Sequence, residues 1–180
     1  IDHSGCLPLL IKKGFKGTIY TSAATRDLCS ILLPDCGHIQ EEDAKYANKH
    51  RYSKHKPSLA LYTEKEGAAA ISCFKDIDFG QPIKITDELT AVWSRAGHIF
   101  GSGFIKCQTS EASILFSGDI GRVKNDLMKP PAAIKSADYL VLESTYGDRL
   151  HSDEDPKAKL AEIISTTASK GGTILIPAFA

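Results

Sequence analysis

Apolar and polar positions change period several times along the chain, and the changes predict a mixed α/β protein. "GTIYTS" (17–22) is a short apolar run closing on hydroxyl residues, which predicts a strand ending in a turn. Thr21 or Ser22 is placed to cap a helix over "AATRDLCSILLPD", where Leu28, Ile31 and Leu32 share one face. Pro34-Asp35 is expected to end that helix. "LALYT" (59–63) opens a second unit, which continues into the helix-like "EKEGAAAISCF" (64–74). The period then falls to two. "LTAVWSRAG" (89–97), "GFIKCQ" (103–108) and "ASILFSGD" (112–119) predict successive antiparallel strands. "DYLVLEST" (138–145) is nearly all apolar and predicts a strand covered on both faces. A helix is predicted from Pro156 to Ser169, with Asp155 as N-cap, Pro156 at the first position and Gly171 at the stop. "GGTILIPAFA" (171–180) predicts a last buried strand, and a chain stopping there is expected to be a fragment.

Composition narrows the class. The 180 residues are enough for one domain with a core, and 42% hydrophobic with 24% charged residues is ordinary for a globular protein. No run approaches the ~20 apolar residues of a membrane span, so no membrane partner is expected. Lysine plus arginine balances aspartate plus glutamate at 22 each, so any polyanion must be held by a local basic surface or a metal. The five cysteines include no C-x-x-C pair, which predicts reduced, mostly buried thiols in a cytosolic protein. The first residue is Ile1, which leaves an upstream segment open.

Candidate chemistry collects where apolar strands run out. Four places stand out: "DHSG" (2–5), "AGHIFGSG" (96–103), "SGDIG" around Asp119, and "LESTYG" (142–147) with Glu143. Together they offer two histidines and three carboxylates, a nitrogen and oxygen set that suits Zn²⁺. Glycines beside His98 and Asp119 let the backbone turn sharply and present both side chains to a shared cleft. A divalent ion would take the charge of Asp119 at the mouth of an apolar strand. Each place alone has an ordinary reading: "SGDIG" as a turn, His98 as a loop residue, Glu143 as an edge carboxylate, Asp2-His3 as a frayed terminus. On spacing and composition the metal site stays open.

The ordered set "DHSGCLP", "AGHIFGSG", "FSGDIGR" and "ESTYGDRLH" resembles the metallo-β-lactamase superfamily, and within it the β-CASP branch of RNA-processing enzymes. "IYTSAATRDL" and "GGTILIPAFA" resemble the same branch, so the likeness covers nearly the whole chain. It implies an incomplete αββα sandwich over 1–147 and the start of a truncated β-CASP domain over 148–180. In the family signature H-x-H-x-D-H, Ile1 matches the second x, Asp2 the aspartate and His3 the last histidine. His98 matches the next histidine ligand and Asp119 the carboxylate bridging two metals. The resemblance thus implies Asp2, His3, His98 and Asp119 as metal residues, and Asp2 and Glu143 as catalytic. Glu143 would orient a histidine located much later. The implied activity is cleavage of RNA by a zinc-dependent phosphodiesterase, with two Zn²⁺ about 3.5–4 Å apart lowering the pKa of a bridging water toward about 7. Three family histidines have no counterpart here, so this chain alone is expected to bind zinc weakly and to have little nuclease activity. RNA is the implied partner and the cytoplasm the implied location; a homodimer and subunits of a processing complex are left open. Another hydrolase of the superfamily and a metal-deficient scaffold subunit are the alternatives; "ESTYG" and "IPAFA" weigh against the first, the retained ligands against the second.

Some features stand apart. "KYANKHRYSKHKP" (45–57) carries Lys45, Lys49, Arg51, Lys54 and Lys56 with Tyr46 and Tyr52 between them. It reads either as a basic arm on an RNA backbone, with Lys49, Arg51 and Lys54 as nucleic-acid contacts, or as a solvated loop. Cys29, Cys36 and His38 lie close in sequence with irregular spacing and read as core or loop residues. Trp93 is expected in the core. His151 is typical of the branch and has no assigned role.

Overall fold

A computed structural model describes residues 2–125, 127–150, 152 and 154–177. They fall into two compact units, Ile1–Glu143 and Ser144–Ala180.

In the first unit, helix α1 (Leu7–Lys12) precedes strand β1 (Ile19–Ser22), which passes directly into helix α2 (Ala23–His50). Ser22 is the hinge between them: its backbone is extended, and its Oγ accepts from Thr25 N at 3.3 Å. The expected stop at Pro34 is wrong, because α2 runs through that proline to His50. An interior proline costs about 3 kcal/mol or more, so tertiary contacts must offset it. They come from helix α3 (Glu64–Ala70), which crosses α2 at two glycines. A Cβ on Gly67 would lie 2.4 Å from the Leu33 carbonyl oxygen, and one on Gly37 would lie 2.6 Å from that of Thr63. The backbones touch where side chains would otherwise separate them. Beneath, Cys29, Leu33 and Phe74 form a core flanked by Leu7, Ile19 and Ile71. The "LALYT" segment forms no strand; Leu59 and Leu61 face solvent and Tyr62 is buried. The Tyr62 hydroxyl has no hydrogen-bond partner among the described residues, and burial pushes its pKa up. Cys29 is buried, but Cys6 is exposed and Cys36, Cys73 and Cys107 are half-buried, so the expectation of mostly buried thiols is corrected. Trp93 is buried.

The strands form two sheets. β1 pairs in parallel with β2 (Phe74–Ile77); the helix-like pattern covered only its Phe74, and 75–77 had no predicted element. The second sheet has the order β3-β4-β5-β6-β7, with β3 (Pro82–Lys84), β4 (Thr90–Arg95), β5 (Gly103–Gln108), β6 (Ser113–Phe116) and β7 (Tyr139–Val141). β4, β5 and β6 are antiparallel neighbours, as expected, and β7 joins β6 in parallel. Consequently β4, β6 and β7 all point the same way, and the residues following each collect at one end of the sheet. β7 is exposed along its length in this chain, not covered on both faces. Asp138 fastens its start: its Oδ2 accepts from both N and Oγ of Ser113, each at 2.7 Å.

The second unit holds the predicted helix α4 (Pro156–Ser169), with Asp155 Oδ1 accepting from Lys157 N at 2.9 Å and Gly171 at φ +67°. Residues 172–177 form no strand and are largely exposed, which corrects the expected buried strand; Ala178, Phe179 and Ala180 lie outside the described residues, as does His151.

Two predictions follow from this packing. Helix propensity alone would favour Gly67→Ala by about 1 kcal/mol. The close approach to Leu33 reverses the sign, and we expect a net loss of about 1–3 kcal/mol, read as a lower urea midpoint at unchanged slope. The hydrogen bonds from the Ser113 hydroxyl, then its N–H, hold the Asp138 carboxyl below the ordinary value of about 4. A depressed folded pKa contributes stability that is present above the ordinary value and lost as pH falls through the depressed one. Asp138→Asn should therefore flatten the acid side of the stability–pH curve below about pH 4, measured by urea melts across pH.

Candidate metal centre

The end of the five-stranded sheet carries the chemistry because of the strand directions. His98 follows β4, Asp119 follows β6 and Glu143 follows β7, and all three emerge on the same side. Asp2 and His3 reach this end from the turn before α1. His3 Nε2 lies 3.2 Å from Asp119 Oδ2 and 3.5 Å from Asp2 Oδ2. His98 Nε2 approaches the same Asp119 Oδ2 at 3.7 Å. Asp2, His3 and Asp119 each offer a ligand atom within 4.8 Å of the others. Three of the four residues named from sequence thus cluster, and His98 lies outside that mutual group, reaching only Asp119.

Backbone glycines set these distances. Gly97 has φ +73° and Gly118 has φ +53°, values an L side chain rarely adopts. Gly121 presses on Gly97 so closely that a Cβ there would fall 1.8 Å from the Gly97 carbonyl oxygen. Gly121 N also donates to Ala96 O at 2.9 Å. The His98 loop is therefore bolted to the Asp119 loop through main chain.

Hydroxyl groups then fix the loop shapes, and these were missed in the sequence reading. Ser102 Oγ accepts from His98 N and Ile99 N, at 3.0 and 3.2 Å, and donates to Ile99 O at 2.8 Å. On the other side of that loop, Gly101 O accepts from Ser22 Oγ at 2.8 Å and Thr25 Oγ1 at 3.2 Å. The buried Ser117 donates to Gly118 O at 2.7 Å and accepts from Glu143 N at 3.1 Å. The available signal was a serine flanked or followed by glycine, at 101–103 and 117–118, where a small hydroxyl is the only side chain near a sharp turn.

Glu143 acts on Asp119 through the backbone. Its Oε1 accepts from Ile120 N at 2.6 Å, next to Asp119 in the chain. A carboxylate gripping a main-chain N–H restrains the direction in which the preceding residue points.

The donor set fits zinc. Two ligands each about 2.0–2.1 Å from a tetrahedral ion stand about 3.3 Å apart, by the geometry of that coordination. The 3.2 and 3.5 Å separations around His3 bracket this value, and 3.7 Å for His98 lies just outside it. Imidazole nitrogen and carboxylate oxygen are ordinary zinc donors. Side-chain exposures of 59% for His3, 47% for His98 and 42% for Asp119 leave the cluster open to an ion and a substrate from solvent. The cysteines give no such cluster among the described residues. Cys29 is in the core, Cys36 Sγ accepts from Gln40 Nε2 at 3.3 Å, and His38 Nδ1 faces Glu64 Oε2 at 3.6 Å.

No protein-family model matches the chain. It is 29% identical over 181 residues to ribonuclease TTHA0252 of Thermus thermophilus, across 100% of this chain and 38% of that protein. It is 32% identical over 187 residues to transcription termination factor FttA of Thermococcus kodakarensis, across 100% of this chain and 27% of that protein. RNase aCSPSF2 of Saccharolobus solfataricus is 30% identical over 182 residues, across 99% of this chain and 34% of that protein. The chain therefore spans 27–38% of the length of these relatives. No helix among the described residues is long and apolar enough to cross a membrane.

The Gly121–Gly97 contact generates a test. Gly121→Ala must force the two loops apart, and we expect a loss of about 1–3 kcal/mol of stability in urea melts. Gly80→Ala, where a Cβ meets nothing within 4 Å but φ is +80°, reports the conformational cost alone and should lose less.

Proposed function

We propose that this chain belongs to a zinc-dependent RNA phosphodiesterase of the metallo-β-lactamase superfamily, β-CASP branch. In this reading, 1–147 is the metallo-β-lactamase-like part, an incomplete αββα sandwich, and 148–180 begins the β-CASP domain. The observation that carries it is the approach of His3 and His98 to one oxygen of Asp119, with Asp2 in the same cluster. Two relatives named as ribonucleases support the choice of RNA.

His3 and His98 both approach Oδ2 of Asp119, so in this reading Asp119 would be shared between the ions they hold. Zinc, when bound, supplies Lewis-acid polarisation of a phosphoryl oxygen and shifts the pKa of water toward about 7. Asp2, the most exposed carboxylate of the group at 82%, would in this reading help hold an ion beside His3. Glu143 is a positioning residue for the Asp119 turn through Ile120 N. The exposed donors leave the cluster accessible to a phosphodiester from solvent. The reading places the protein in the cytoplasm.

The test is zinc titration of the 180-residue chain by calorimetry. Weak uptake is expected, since four side chains serve the site. Asp119→Asn should lower that affinity by at least the 10–100-fold typical of losing a mere supporting contact. Lys49→Glu should leave it unchanged. Zinc affinity insensitive to Asp119→Asn would contradict the assignment; tight uptake of two ions would contradict only the expected weak binding by this chain alone.

A further inference from the structure

We propose that the C-terminal end of α2 and the loop behind it form a second contact surface for single-stranded RNA, distinct from the metal centre. The proposal rests on RNA being the substrate, and it names where the strand is gripped.

The charge pattern comes first. From Ala44 to Thr63 the chain has no aspartate or glutamate, yet it carries Lys45, Lys49, Arg51, Lys54 and Lys56. Lys45 is neutralised by Glu42 at 2.6 Å. Lys49, Arg51, Lys54 and Lys56 make no ion pair among the described residues, whereas Lys12, Arg26, Lys84 and Lys159 elsewhere do. In a protein of zero net charge, this concentrates positive potential on one local surface.

That surface has a defined shape. Arg51 ends α2 in the left-handed conformation, φ 56°, and turns the chain back. Asn48 then pins the returning loop, donating to Ser58 O at 2.8 Å and accepting from Ser58 N at 2.7 Å. His55 N donates to Ser53 Oγ at 3.1 Å. The result is a cleft of about 370 Å³ lined by Asn48, Arg51, Ser53, His55 and Lys56. This lies near the lower end of ligand-site volumes, about 300–1,000 Å³, and suits one nucleotide or its phosphate.

Beside the cleft stands a ladder of rings. Tyr46 and His50, one helical turn apart, have centroids 4.1 Å apart, and Tyr46 and Tyr52 have centroids 6.2 Å apart. Tyr46 and Tyr52 are 58% and 66% exposed. Clustered rings open to water offer faces on which bases stack whatever their identity, and flanking cations hold the backbone. A solvated loop needs neither the pinning by Asn48 nor the ring contacts.

Separation from the metal centre follows from α2 itself. Its first residues touch the His98 loop through Ser22 and Thr25, and its 28 residues at 1.5 Å each place the platform up to about 40 Å away.

The experiment is fluorescence anisotropy of a labelled oligouridylate of about a dozen nucleotides, within the site sizes of such surfaces. It uses the 180-residue chain with EDTA present. Binding should weaken about tenfold for Tyr46→Ala and again for Tyr52→Ala, and stay near wild type for the Tyr→Phe changes. Combining Lys49→Glu, Arg51→Glu, Lys54→Glu and Lys56→Glu should remove binding, and each lost contact should flatten the salt slope by about 0.7. Circular dichroism checks that each variant is folded. No binding by the wild-type chain, tyrosine variants that bind as wild type, or equal affinity for heparin would each overturn the proposal. Heparin binding without tyrosine dependence would mark a patch for acidic partners instead. EDTA strips metal from every arm, so this readout does not depend on zinc at the Asp119 cluster. A failure of the metal assignment therefore appears in calorimetry and leaves this result standing.

Discussion

Everything at the candidate centre depends on one main-chain contact, Gly121 against the carbonyl of Gly97. Strand direction brings the residues after β4 and β6 to the same end of the sheet, but only to within loop-length tolerance. An imidazole and a carboxylate that share an ion must agree to within a few tenths of an ångström. A side chain at 121 would displace the two loops by more than that. The hydrogen bond from Gly121 N to Ala96 O then holds the contact in register.

The contact is one link in a closed circuit. The Asp2-His3 turn leads into α1, which packs on α3 and is tied to it by Lys12 and Glu66 at 2.9 Å. Glu66 also completes the capping box with Thr63, so the same carboxylate holds the start of α3 and the end of α1. α3 crosses α2 at Gly37 and Gly67, and the N-cap of α2 grips Gly101 in the His98 loop. That loop meets Asp119 across the glycines, and Asp119 meets His3. Each pair of donors is thereby positioned along two routes, which is how partly exposed side chains keep a geometry that no buried core imposes.

The sequence made the donors legible and the frame only partly so. Asp2, His3, His98 and Asp119 could be named because chemistry at strand ends leaves a residue-type signal. The antiparallel run β4-β5-β6 and α4 were equally clear, since their periodicity and caps are local. Pro34 misled because its cost is local while its compensation, the close approach of Gly67, comes from residues more than a helix away. The apolar stretch 138–145 was over-read. Its composition calls for cover on both faces, yet among the described residues β7 pairs with β6 at the sheet edge and keeps its side chains exposed. β2 was not predicted, for its strand character is conferred by pairing with β1 across the length of α2. Ser117 and Ser102 were invisible for another reason: a serine in a turn looks the same whether or not it orients a neighbour.

α2 unites these observations. Its unusual length is not required to cover the small β1-β2 sheet, which needs only the part bearing Cys29 and Leu33. The second half carries Ile39, Tyr46 and the basic turn to solvent, and beyond Gly37 at the α3 crossing its buried residue is Ala47. A helix kept intact through a proline, at the cost that entails, has a use for its full reach. Its N-terminus sets the His98 loop, and its C-terminus presents rings and cations some 40 Å off at 1.5 Å per residue. At about 3.4 Å per stacked nucleotide, that span corresponds to roughly a dozen nucleotides. Under the proposal that this chain contacts RNA, a strand engaged at both ends would be held by electrostatics and stacking up to about 40 Å from the Asp119 donors.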